Sequence, residues 1–247
     1  MNQVSDVGIT DSRWRGLYKL GGVASVTVVL VAFAEIIVTF FPGGARTDPG
    51  SMAVSDWFVL FQDNAFMGLR NLGLLNIFMT MLAIPVFLAL VGAHRRVNLP
   101  YAALAMVVSF IGVAVFLATN RAFPMLDLSN QYAAATSDSQ RAMLTAAGRA
   151  MLSVGQSHTP GTFLGFFLSE VAGILISLVM LRGKIFSKVS GYVGMLAFGL
   201  MLVFEISSSF VPPLFGAAMI FVAGGGLLSM AWYVLIASRL FQLVRSA

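Results

Sequence analysis

Between Thr159 and Arg182 the chain reads TPGTFLGFFLSEVAGILISLVMLR. Thr159 can cap a helix and Pro160 suits a first helical turn. The run of about 22 mostly apolar residues that follows is long enough to cross a bilayer core roughly 30 Å thick. Gly161, Gly165, Ser169, Gly173 and Ser177 recur every fourth position. On a helix they form one smooth stripe of small residues, which lets another helix come close. Glu170 lies beside that stripe near mid-membrane. A charged carboxyl there costs at least a few kcal/mol, so it needs a buried partner or a bound proton.

Five further apolar runs accompany this one. The spans are expected at about 18–41, 65–93, 100–119, 159–182, 190–210 and 214–236. The first is too long for the hydrophobic core of a signal peptide and no small-residue cleavage site follows it, so it reads as a retained span that carries Glu35. Pro42-Gly43-Gly44 ends it. Residues 51–64 mix Trp57, Phe58 and Phe61 with Asp56 and Asp63, as a short helix lying in the membrane interface would. The second span holds Arg70, Asn71 and Asn76 in its first turns and Pro85 as a kink point. The third ends at Asn120-Arg121. Residues 122–158 form the longest polar connection. Within it, Ser137 and Gln140 make a capping-box pattern. Met143, Leu144, Ala147 and Met151 then recur at helical spacing, predicting a short amphipathic helix that rests on the bundle or the membrane. The fifth span carries Glu205 before Ser207, Ser208 and Ser209. The sixth carries Gly224-Gly225-Gly226, a site of close packing or flexibility, and ends near Trp232 and Tyr233 as an interfacial belt.

The fold class that follows is all-α: an integral membrane bundle of six helices forming a single domain over 1–247, with short amphipathic helices in the outer loops. Composition agrees, with 58% hydrophobic and 10% charged residues, where a soluble domain has about 25% charged. The net charge of +5 does not point to nucleic acid, because the cations sit at the ends of apolar runs rather than in one patch. Ten Lys and Arg fall on the side of the termini and of the 94–96 and 182–188 loops. Five (Arg46, Arg70, Arg121, Arg141 and Arg149) fall on the other. Both termini are therefore expected in the cytoplasm. Three spans per half would give inverted topology. Each half opens with a Glu-bearing segment, AFAEIIVTF and FLSEVAGIL, but the two align poorly otherwise.

Several chemistries find no support. The chain has no cysteine, so it has no disulfide, thiolate ligand or Cys nucleophile. Its two histidines, His94 and His158, fall on opposite sides, which argues against a His-based metal site. No G-x-S-x-G, H-E-x-x-H, Walker or dinucleotide pattern occurs. No catalytic residue, metal or cofactor is indicated.

Depth organises what remains. At 1.5 Å per residue, Glu35 and Glu205 lie roughly 7 Å outward of mid-membrane, Asn76 about 6 Å, and Arg70, Asn120 and Arg121 about 15 Å. The inner half is nearly pure hydrocarbon, which argues for a polar pocket opening outward and against a continuous pore. Candidate binding residues are thus Glu35, Arg70, Asn71, Asn76, Asn120, Arg121, Glu170 and Glu205. By snorkelling, Arg70 and Arg121 reach toward Glu35 or Glu205 but hardly to Glu170. Glu170 is expected to be neutral, or bonded to Asn76 or Ser169.

The stretches VAFAEIIV (31–38), LSNQYAAATSDSQRAMLTAAG (128–148), TFLGFFLSEVAGILISLVML (162–181) and WYVLIASRLFQL (232–243) resemble a bacterial family catalogued as domain of unknown function 4386. The resemblance implies a six-helix protein of the bacterial inner (plasma) membrane, with no activity or binding residue attached. Two readings stay open. In one, the polar groups bind or transport a small molecule, a lipid ligand or a proton. In the other, they only lock helices together in a structural or accessory membrane protein. An intramembrane enzyme is the weakest reading. The partner common to all of them is the lipid bilayer.

Overall fold

The computed structural model describes residues 12–40, 52–154 and 159–246. Pro42-Gly43-Gly44, Arg46 and His158 lie outside them. The described residues form helices joined by short turns, with no strand among them. A 3-10 turn, Ser12–Trp14, leads into α1 (Arg15–Phe40). There follow α2 (Val54–Asp63), α3 (Ala65–Asn71), α4 (Leu74–His94), α5 (Leu99–Thr119), α6 (Ala122–Ala134), α7 (Asp138–Ser153), α8 (Phe163–Arg182), α9 (Lys188–Phe210) and α10 (Phe215–Ser246). Six of these helices are long and apolar enough to cross a membrane: α1, α4, α5, α8, α9 and α10. Each packs on the next in chain order, and α10 packs back on α1, so the six form a closed ring. The start of α1 meets the end of α10, where a Cβ on Gly22 would touch the Phe241 ring. Both ends of the bundle chain are therefore on one face, here the terminal face. The opposite, far face carries α2, α3, α6 and α7.

The second span is shorter than its hydropathy implies. Gly73, at φ 92, takes the left-handed conformation that glycine tolerates and separates α3 from α4. Arg70 and Asn71 therefore sit on a separate short helix. The sixth span is longer than expected, because α10 continues through Arg239 to Ser246. Trp232 and Tyr233 are consequently not at an interface: Trp232 is fully buried, edge-on to Phe198 at 5.0 Å.

The connection after α5 holds two helices rather than one. Ser137 caps α7 by accepting from the Gln140 amide at 3.3 Å, while the Gln140 side chain accepts from the Thr136 amide at 3.0 Å. The buried face of α7 matches the predicted one only in part: Leu144 and Met151 are half-buried, and Met151 packs on the α2 core. Gly148 packs on Val54 and Phe58, whereas Met143 and Ala147 are exposed. Nor does α2 lie on lipid with its aromatic face. Trp57, Phe58 and Phe61 are buried in a small core with Leu72, Ala122 and Met125. Ser129 Oγ ties α6 to α2 by donating to the Phe58 carbonyl at 2.9 Å. These helices make a packed cap over the far ends of the spans.

The main core fills the terminal half of the ring, with Tyr18, Leu90, Ile176, Met180, Trp232, Ile236 and Leu240 all fully buried. Small residues set the helix spacing. A four-residue step overshoots a helical turn by about 40°, so the stripe on α8 winds round the helix. Gly165 accordingly faces Phe116 of α5, while Gly173 faces the Phe198 ring of α9 and Ser177 faces Gly194. One stripe thus serves two neighbours. In the glycine triplet only Gly225 is tightly packed, against Ala197 and Met201 of α9.

Candidate functional site

The polar side chains of the far half separate into groups. In the first, α3 brings Arg70 against α1. Its Nη2 lies 2.8 Å from Glu35 Oε1 and also donates to the Glu35 carbonyl at 3.4 Å. Its Nη1 donates to Asn71 Oδ1 at 3.0 Å. The Arg70 side chain is 3% exposed and that of Glu35 is 34% exposed. This is an ion pair across two elements, and it needs the helix break at Gly73 to aim Arg70 inward.

Asn120 belongs to the architecture of the break between α5 and α6. Its Nδ2 donates to the Leu72 carbonyl at 3.1 Å, and its Oδ1 accepts from the Ala122 amide at 3.0 Å. One residue on, Arg121 is 4% exposed, with Nε and Nη2 unpartnered. No carboxylate among the described residues pairs with it. Asn76 is half-buried on α4 and makes no hydrogen bond among the described residues.

The remaining group lies between α8, α9 and α10. Glu170 on α8 is 8% exposed and Glu205 on α9 is 2% exposed. The two carboxyls are close enough to interact electrostatically, and Tyr233 of α10 interacts with Glu170 in the same way. Ser209 Oγ donates to Glu205 Oε1 at 3.4 Å within α9. Among the described residues Glu170 has no hydrogen-bond partner, and its Oε2 is buried. The expected bond to Ser169 is absent because the Ser169 hydroxyl donates back to the Gly165 carbonyl at 2.9 Å. Serine commonly does this inside a helix, where the carbonyl four residues back is the nearest acceptor. Asn76 does not reach Glu170 either.

Tyr233 is the residue that reading the sequence missed. An aromatic beside a tryptophan near the end of an apolar run signals an interface only if the helix stops there. The continuation of α10 past Arg239 would have moved Tyr233 inward. Toward the terminal face the ring is filled by apolar packing, and at the end of α4, beside Gly183, lies His94. That imidazole is fully buried, stacks on Phe186 at 5.3 Å, and sits 2.9 Å from the Leu90 carbonyl through Nδ1. Among the described residues no group of three or more His, Asp or Glu is placed to hold a metal ion. Compared with protein-family models, curated proteins and solved structures, the chain matches none.

Proposed function

We propose that this chain is a multi-pass protein of the bacterial inner membrane, with both termini in the cytoplasm. It binds a small molecule through Glu170 and Glu205, reached from the outer side. The bound species carries a cationic or hydrogen-bond-donating group; a proton would satisfy the same pair. One observation carries the reading: Glu170 is buried at mid-span with no hydrogen-bond partner among the described residues. Polar residues that lock membrane helices do so by bonding across to a neighbour. Glu170 makes no such bond, and an intramembrane carboxyl that costs stability without returning it is accounted for by a ligand. Tyr233 lies within electrostatic range of Glu170. The apolar terminal half favours access from the far face only. Membership of the family named above is part of this proposal and adds topology, not activity.

The locking reading fits the other residues better. Glu35, Arg70, Asn71 and Asn120 each make hydrogen bonds to other groups within the protein. They hold α3 to α1 and fix the turn into α6.

Native mass spectrometry of the detergent-purified protein tests the proposal. The wild type should carry a co-purified small molecule that is lost in Glu170→Gln and Glu205→Gln. The same bound mass in both variants would refute it.

A further inference from the structure

The terminal face carries a second feature, independent of Glu170. Between the start of α1 and the end of α10 lies a groove of about 610 Å³ lined by Arg15, Gly16, Lys19, Phe241, Val244 and Arg245. Arg15 and Lys19 are one helical turn apart on α1, and Arg245 faces them from α10. All three are exposed, and none has an ion pair or hydrogen bond among the described residues. The described acidic residues (Glu35, Asp56, Asp63, Asp127, Asp138, Glu170 and Glu205) lie at mid-span or beyond it. Among the described residues no carboxylate pairs with the three cations. The groove is open at Gly16, where a Cβ would meet no atom within 4 Å.

The groove continues into an apolar lane. At about 100° per residue, Val23, Val26, Leu30 and Phe33 fall on the same face of α1 as Arg15 and Lys19. All four are exposed. From Lys19 to Leu30 the helix rises roughly 16 Å, about the hydrocarbon depth of one leaflet. Three cations above a leaflet-deep apolar strip match an amphiphile with an anionic head and long tails. A soluble polyanion would have no use for the strip.

We propose that this groove binds an anionic phospholipid, with the headgroup phosphate held by Arg15, Lys19 and Arg245 and an acyl chain lying along α1. Basic pockets between spans on the cytoplasmic side suit such headgroups. The inference rests on the membrane-spanning reading but not on any ligand at Glu170. Isolated topology-setting cations would need no shared groove, no open glycine and no aligned apolar lane.

The test is thermal unfolding of the delipidated protein in neutral detergent, titrated with phosphatidylglycerol, phosphatidylcholine or inorganic phosphate. Phosphatidylglycerol alone should raise the midpoint. Each cation removed should weaken its affinity about five-fold, so the triple variant Arg15→Gln/Lys19→Gln/Arg245→Gln should bind roughly a hundredfold more weakly. Gly16→Trp, which fills the groove without changing charge, should also abolish the preference. The variant Arg96→Gln/Lys184→Gln/Lys188→Gln removes equal charge elsewhere on the same face and should retain it. The proposal is overturned if the first triple variant or Gly16→Trp keeps the preference, or if the second triple variant loses it equally. An equal rise with inorganic phosphate would identify a free-anion site and overturn the lipid.

Discussion

Replacing Arg70 by Met should destabilise the protein by about 2–3 kcal/mol. The ion pair to Glu35 spans 2.8 Å. At an effective dielectric near 20 its gross attraction is about 6 kcal/mol, most of which is cancelled by desolvating the guanidinium. Removing one partner of a fully buried pair costs roughly 3–5 kcal/mol. Glu35 is 34% exposed, so water can take over part of its solvation when Arg70 is lost. That places the cost below the fully buried range. Asn71 Oδ1 loses its donor at the same time. Glu35→Gln should cost less, about 1 kcal/mol, because an amide oxygen can still accept from Arg70. The double variant should lose roughly 1–2 kcal/mol less than the sum of the singles, since the second change removes a group already without its partner. Unfolding midpoints in detergent measure all three, at about 2–4 °C per kcal/mol for a chain of this size. Strict additivity would show that the two side chains do not act as a pair and would refute the reasoning.

Two other outcomes follow from packing and from topology. Gly194→Ala drives a methyl into Ser177 Oγ and the Trp232 ring and should cost about 1–3 kcal/mol. Gly199→Ala meets no atom within 4 Å and should be neutral or stabilising by up to roughly 1 kcal/mol, a contrast read by the same midpoints. The chain has no cysteine, so single cysteines report cleanly on sidedness. In intact cells a membrane-impermeant thiol reagent should label Asp127→Cys and spare Lys184→Cys; the reverse pattern would invert the proposed orientation.

The six long helices were legible because about 20 apolar residues in succession suit a helix long enough to cross a membrane. What failed was local. The second run is interrupted by Gly73, whose left-handed φ has no hydropathy signature. The sixth was ended early because Arg239 was read as lying past its end. In the structure Arg239 sits inside α10, its Nε donating to the Ile185 carbonyl at 2.6 Å. The cap was misread because Trp57, Phe58 and Phe61 suit an interface and a small core equally well. Only the partner surface of α6, which looked like a polar loop, decides between them. Within the site, Glu170 and Glu205 stood out as carboxyls in apolar runs. Their mutual proximity needed the fold, because 35 residues and a helix reversal separate them.

The central claim is that Glu170 is kept for something other than stability. The direct measurement is the unfolding midpoint of Glu170→Leu in detergent. A buried carboxyl with no partner costs a few kcal/mol, so removing it should leave the midpoint unchanged or raise it by several degrees. A fall of comparable size would contradict the account and make Glu170 part of the packing after all.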